Sequence, residues 1–195
     1  MTGQPMSKRE TIITTAMNLF NQKSYTSIGV DKIIAESNVA KMTFYKYFSS
    51  KENLIEECLY QRNLEVQASL LEKVNKIDNP LNKLKNIFNW YIDWINTEDF
   101  NGCLFKKATI EVIQLYPSLK NQINKYREWV FNLVLSAFVE LDIESPEVLS
   151  SLFLNIIDGL IIDGSVNKTQ INAEQTWSYI NKLILLETNQ ACAAA

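Results

Sequence analysis

The chain contains no histidine. That absence excludes a Ser-His-Asp triad, a Cys-His pair, an imidazole metal ligand and a Cys₂His₂ finger. It also removes the side chain that ordinarily titrates near neutral pH. Glycine is scarce, and the five present, at 3, 29, 102, 159 and 164, never approach GxGxxG or a phosphate loop. Cysteine is scarce as well. Cys58, Cys103 and Cys192 are widely spaced with no CxxC, which argues against a disulfide framework or zinc site and favours a reducing, cytoplasmic setting. No metal and no cofactor are expected. No uninterrupted apolar run approaches ~18 residues, so neither a membrane span nor a membrane partner is expected. The opening MTGQPMSKRE has no apolar h-region and does not read as a secretory signal. The closing ACAAA reads as small and structureless.

What remains is a globular composition. Hydrophobic residues make up 47% of 195 and charged residues 21%, which fits one domain or a small one plus a larger one. The net charge of −3 is unevenly distributed. Residues 1–51 carry seven Lys/Arg against three acidic residues, whereas residues 52–195 carry twelve against nineteen. A basic first quarter on an acidic body suggests that only the first quarter meets a polyanion. The alternative is a chance fluctuation.

The hydrophobic pattern is helical nearly throughout, with no strand alternation, so the expected class is all-α with about nine helices. Ser7-Lys8-Arg9-Glu10 reads as a capping box. Ile12, Ile13, Ala16, Met17, Leu19 and Phe20 follow it at helical spacing, to an end near 21–24. A short helix over about 29–37 should bury Val30, Ile33 and Ile34. Asn38 suits a left-handed turn, and a second short helix spans about 40–47. Ser49-Ser50-Lys51-Glu52 reads as another capping box, opening a long helix to Val74. Five further helices are expected over about 80–96, 103–115, 118–141, 146–164 and 172–188, punctuated by Pro80, Gly102, Pro117, Pro146 and Gly164.

Two short helices joined by a tight turn, behind a supporting first helix, form a helix-turn-helix arrangement. In the second short helix Phe44 and Phe48 lie at i, i+4 and should face inward. Lys41, Met42, Thr43, Tyr45 and Lys46 then occupy the other flanks. Lysine can bind phosphate or guanine edges, threonine can touch a thymine methyl, and tyrosine hydroxyls reach phosphates. A short basic surface helix is the plain alternative.

The string from Ile33 to Phe48, IIAESNVAKMTFYKYF, followed by SSKENL, resembles the DNA-binding region of TetR-family bacterial repressors over residues 8–54. Gly29-Val30-Asp31 and the V-A-K-M-T-[LF]-Y form are similar to one large subgroup. The resemblance implies an N-terminal helix-turn-helix domain over 1–50 and an effector-binding and dimerisation domain over 51–190. It implies that Lys41, Met42 and Thr43 face the major groove and that Tyr45, Lys46 and Tyr47 contact phosphates or bases. Lys51 would hold a phosphate, and Gly29 and Val30 would lie near the other strand's backbone. Ser24 and Asn38 stand where glycine is common, Ile34 where alanine is common, and Ala40 where a capping serine is common. Losing that cap costs about 1 kcal/mol.

For residues 55–195 the resemblance is architectural. It implies that the last two long helices pair with their copies in a homodimer. Phe153, Ile156, Ile157, Gly159, Leu160, Trp177, Ile180 and Ile184 are the candidate interface. Core packing is the alternative for half of them. Gly159, mid-helix, would permit close helix approach. A two-fold dimer would read a palindromic operator in double-stranded DNA. The resemblance also implies a small-molecule effector among the middle helices, whose binding would shift the fourth helix and disfavour the operator complex.

Trp90, Trp94, Cys103, Phe105, Tyr126 and Trp129 are the candidate ligand-binding residues, with Phe88, Tyr91 and Phe131 nearby in sequence. Aromatic walls suit an aromatic, lipophilic or cationic molecule, although aromatics at helical spacing also make ordinary core. Asp93, Glu111 and Asp158 would meet a cation or else pair with other side chains. Cys103, at a helix start before Lys106 and Lys107, could have a lowered thiol pKa and act as a redox sensor, or simply pack.

The reading is a ligand-released transcriptional repressor, not an enzyme, with no catalytic residues. A TetR-type activator, a thiol-responsive regulator and a helical interaction protein without DNA binding are the rivals.

Overall fold

The structure is a computed structural model describing residues 6–167 and 171–193, with side chains described up to 188. Among the described residues there are nine α-helices and no strand. They are α1 (Lys8–Gln22), α2 (Val30–Glu36), α3 (Lys41–Tyr47), α4 (Lys51–Val74), α5 (Pro80–Ile95), α6 (Leu104–Glu111), α7 (Lys120–Glu140), α8 (Pro146–Val166) and α9 (Ala173–Ala193). Pro117–Leu119 form a 3₁₀ turn ahead of α7. The all-α expectation holds. Two compact units result, one from residues up to 65 with 103–125, the other from 66–102 with the residues from 126 onward.

In the first unit α1 opens on the expected reciprocal cap. The Ser7 hydroxyl accepts from the Glu10 N–H at 3.2 Å, and the Ser7 N–H donates to the Glu10 carboxylate at 2.8 Å. Those hydrogen bonds hold the Glu10 carboxyl below its ordinary pKa. α1 then buries Ile12, Ile13, Ala16 and Phe20. α2 and α3 are seven residues each, too short to persist alone. Both pack on α1 and on each other. Phe44 and Phe48 are fully buried with ring centroids 5.7 Å apart, as their spacing predicts. α2 buries only Ile33, while Val30 and Ile34 are half-buried, because a helix of about two turns brings few side chains to the centre of one face. Asn38 adopts φ 52°, the left-handed turn expected of it. Ala40 caps α3 without a side-chain hydrogen bond.

The second capping box is displaced by one residue. α4 begins at Lys51, so Ser50 is the cap, and its hydroxyl accepts from the Asn53 N–H at 3.1 Å. Glu52 lies one position too early to reach back, and its carboxylate accepts from the Ser118 hydroxyl at 2.5 Å.

In the second unit Asn79 caps α5 by accepting from the Asn82 N–H at 2.9 Å, with Pro80 as the first helical residue. α5 buries Leu84, Ile87, Phe88, Tyr91 and Ile95 and packs against α8 and α9. Within the chain the glycine at a close approach is Gly164. A Cβ on Gly164 would lie 2.4 Å from Ile95 Cγ2, whereas one on Gly159 would meet nothing within 4 Å. Consequently α8 does not stop at Gly164 but runs on to Val166. α6 ends at Glu111, short of the expected 115. α9 continues through Ala193, so Ala191-Cys192-Ala193 are helical and not structureless, and Ala194 and Ala195 lie outside the described residues.

Among the described residues one helix, α8, is long and apolar enough by length and composition to cross a membrane. It is interrupted by Asp158, which pairs with Arg127 at 3.6 Å, and it buries Phe153, Ile157 and Ile161 against its own unit. One face of α8 is thus packed in its own unit and another is exposed.

Candidate nucleic-acid interface

Burial of Phe44 and Phe48 fixes the rotation of α3. Lys41, Met42, Tyr45, Lys46 and Tyr47 are therefore exposed, with Thr43 half-exposed. Met42 is 85% exposed, as is Val166 elsewhere, so what marks it is its place among Lys41, Thr43, Tyr45 and Lys46. Lys41, Met42, Thr43, Tyr45 and Lys46 together line one open depression. The structure thus brings these five α3 residues onto one surface, which offers two ammonium groups, a phenol, a hydroxyl and a thioether, while Tyr47 is exposed outside that depression. Two ammonium groups carry partners. Lys41 Nζ donates to Asp31 Oδ1 at 3.3 Å, and Lys46 Nζ lies 6.0 Å from the Tyr47 ring centroid. Gly29 caps α2 in an extended conformation and is exposed, with Val30 half-buried beside it.

Lys51 behaves differently. Its ammonium is half-buried and donates to the Tyr25 carbonyl, and burial lowers its pKa. It is part of a polar cluster that ties down the loop between α1 and α2. Lys107 Nζ donates to the Asn21 and Lys23 carbonyls at 2.5 and 3.3 Å. The Glu111 carboxylate accepts from the Tyr25 N–H at 2.6 Å, and the buried Tyr25 hydroxyl donates to the Leu104 carbonyl at 3.2 Å. Burial raises the Tyr25 phenol well above its ordinary pKa and lowers that of Lys107. Tyr25 has no role in the sequence analysis and Lys107 enters it only as a neighbour of Cys103, because nothing local marks a pairing across some eighty positions. Arg9 joins the same unit, with its guanidinium 2.5 Å from the Glu57 carboxylate and 5.7 Å from the Phe48 ring centroid.

Cys103 does not have the environment of a reactive thiol. It is buried, and burial pushes its pKa up, outweighing the opposing pull of the α6 amides and Lys106. Cys58 is buried and shifted upward in the same way. Cys192 lies outside the residues whose side chains are described.

The candidate ligand residues divide between the units. Cys103 and Phe105 belong to the first and are buried; Trp90, Trp94, Tyr126 and Trp129 belong to the second. There the Trp90 indole N–H donates to the Ser69 hydroxyl at 2.9 Å, and the buried Tyr91 and Tyr126 hydroxyls are 3.1 Å apart. Trp94 packs edge-on against Phe100 at 4.9 Å. Of the three acidic residues, Glu111 and Asp158 have the partners given above, and Asp93 is exposed.

The dimer candidates divide too. Phe153, Ile157, Ile180 and Ile184 are buried within the chain itself, Ile156, Leu160 and Trp177 are half-buried, and Gly159 is exposed. The apolar surface left open is a neighbouring set. On α8, Val148, Leu152, Ile162 and Val166, with the polar Asn155 and Gly159 between them, recur at alternating four- and three-residue steps, all exposed. On α9, Tyr179, Leu183 and Leu186 do the same. That spacing is a coiled-coil-like seam. The sequence-stripe signal was present, but a pattern apolar on two faces does not say which face is inside.

Residues 12–58 match the family described as bacterial regulatory proteins, tetR family. The transposon Tn10 TetC protein of Escherichia coli is 29% identical over 89 residues, covering 46% of this chain and 45% of that protein. The HTH-type transcriptional repressor NemR of E. coli K12 is 26% identical over 133 residues, covering 66% of each. In several curated relatives the chain spans only about half of their length. The crystal structure of SCO4454, a TetR-family transcriptional regulator from Streptomyces coelicolor, superposes with a TM-score of 0.83 at 20% identity, over 93% of this chain and 96% of that one. The family match thus covers the head, and the likeness over the rest of the chain is one of fold.

Proposed function

We propose that the chain is a DNA-binding transcriptional repressor that acts in the cytoplasm, binds a palindromic operator as a homodimer, and is released by a small molecule. The observation that carries this reading is the exposed face of α3, where Met42 is left uncovered among groups suited to base edges and phosphates. Lys41, Met42 and Thr43 would enter the major groove, with Tyr45, Lys46 and Tyr47 at its edge and Gly29 and Val30 near the other backbone. The head corresponds to residues 1–50 and the effector and dimer region to 51–190. The V-A-K-M-T-[LF]-Y subgroup assignment belongs to this proposal.

The exposed seams on α8 and α9 supply a surface for a second copy, with Gly159 at the middle of the α8 seam. Half-sites would then lie about one helical turn apart, roughly 34–36 Å. The aromatic cluster of Trp90, Tyr91, Trp94 and Tyr126 supports an aromatic, lipophilic or cationic effector. Release by a thiol reaction is disfavoured by the burial of Cys103.

The test is selection of duplexes by the purified protein from a randomised library, followed by titration of the winner. Enrichment of a palindrome, bound by a dimer with a steep salt dependence, is the expected result. A folded dimer that enriches no sequence would overturn the reading.

A further inference from the structure

Residues 1–51 hold three acidic side chains. Glu10 is absorbed by the α1 cap, and Glu36 lies 3.8 Å from Lys32 on its own helix. Asp31 is the one that reaches the recognition helix, with Oδ1 at 3.3 Å from Lys41 Nζ. The Asp31 side chain is 87% exposed and that of Lys41 66%. An exposed pair of this kind adds little to folding stability. A carboxylate on a face that approaches phosphates also opposes binding. Neither effect accounts for its place beside Lys41.

What the contact does is localise the ammonium and cancel its charge. An unrestrained lysine on a four-carbon stem neutralises whichever phosphate is nearest, which adds affinity for every sequence alike. A lysine held by a carboxylate has less charge to offer a phosphate, yet its ammonium has three donors and can keep that partner while donating to guanine O6 or N7 in the major groove. We propose that Asp31 is a specificity-determining residue, holding Lys41 back from phosphates so that it serves base readout. The inference rests on the assignment of α3 as the DNA-reading helix.

The test compares Asp31→Asn, Lys41→Met and the double variant of the full chain. Each is titrated with the selected palindrome and with a shuffled duplex between 50 and 200 mM salt. Asp31→Asn is expected to tighten binding to the shuffled duplex roughly threefold at the low-salt end and to steepen the log–log salt slope by about one per recognition helix. The palindrome gains less, so the specificity ratio falls. In the Lys41→Met background the slope change should shrink to less than half. An unchanged ratio and slope in Asp31→Asn overturns the proposal, as does a slope change of more than half its size without Lys41. If Lys41→Met itself leaves palindrome affinity untouched, the assignment of α3 is at fault instead.

Discussion

The two units are held together in different ways. In the first, side-chain pairs such as Arg9–Glu57 and Ser118–Glu52 are joined by a set of long-range ties from side chains to backbone: Lys51 to a carbonyl of the α1–α2 loop, Lys107 to carbonyls at the end of α1 and the start of that loop, Glu111 to an amide in it, Tyr25 to the Leu104 carbonyl. In the second, the contacts between helices run from side chain to side chain: Trp90 to Ser69, Tyr91 to Tyr126, Lys83 to Glu140. The difference follows from helix length. α2 and α3, at seven residues, cannot secure their own connections, so the loop ahead of them must be fixed from outside. Helices of 16 to 21 residues present whole faces and need only pack.

The largest effect should come from the first unit's small core. Phe44→Ala should destabilise the chain by about 3–5 kcal/mol, read as a fall in the urea midpoint, because a fully buried ring leaves a cavity among short helices. In the second unit a larger side chain is the sharper tool. Gly164→Ala forces Ile95 to move and should cost about 1–3 kcal/mol. Gly159→Ala on the same helix should instead raise the midpoint, by up to ~1 kcal/mol, since its Cβ enters open space within the chain.

Glu111→Ala leaves the Tyr25 N–H without its acceptor and should cost about 1–3 kcal/mol. If it cost nothing, the backbone tie would not distinguish the units.

Alkali should act on the first unit. Cys58 and Cys103 retain their protons in the folded chain above 9.0, the value at which an ordinary thiol ionises. The folded state then binds more protons, so stability falls as pH rises through that range, with Tyr25 adding to the fall above 10.0. Lys51 and Lys107, whose pKa values are lowered, act in the opposite sense below 10.5, but both are partly exposed and weigh less. A urea midpoint lower at pH 10 than at pH 8 checks this. The smallest stability effect belongs to Lys46→Ala, within about 0.5 kcal/mol, while DNA binding weakens at all sequences and its salt slope falls by about one.

Local chemistry was legible in the sequence. The Ser7–Glu10 cap, the inward pair Phe44 and Phe48, the left-handed Asn38 and the bare Ala40 cap all follow from spacing of a few residues. What was not legible depended on distant partners. Gly164 stands at a close approach within the chain because Ile95 lies against it, which no helical pattern shows. Cys103 was read from its helix start and its lysines, yet burial decides its chemistry. Lys51 matches a phosphate-holding position, while its ammonium is already given to the Tyr25 carbonyl. In the dimer set the residue types were right for helix packing, but four of the eight face their own chain.

The sealed thiols have a practical consequence. Cys58 and Cys103 both belong to the unit that carries α3. An alkylating reagent reaches them only when that unit opens, so the rate of modification at those two sites counts openings without any added label. A duplex or small molecule that steadies the unit will slow the rate, and one that loosens it will speed the rate. The protein thus carries its own gauge of how firmly the DNA-reading end is held.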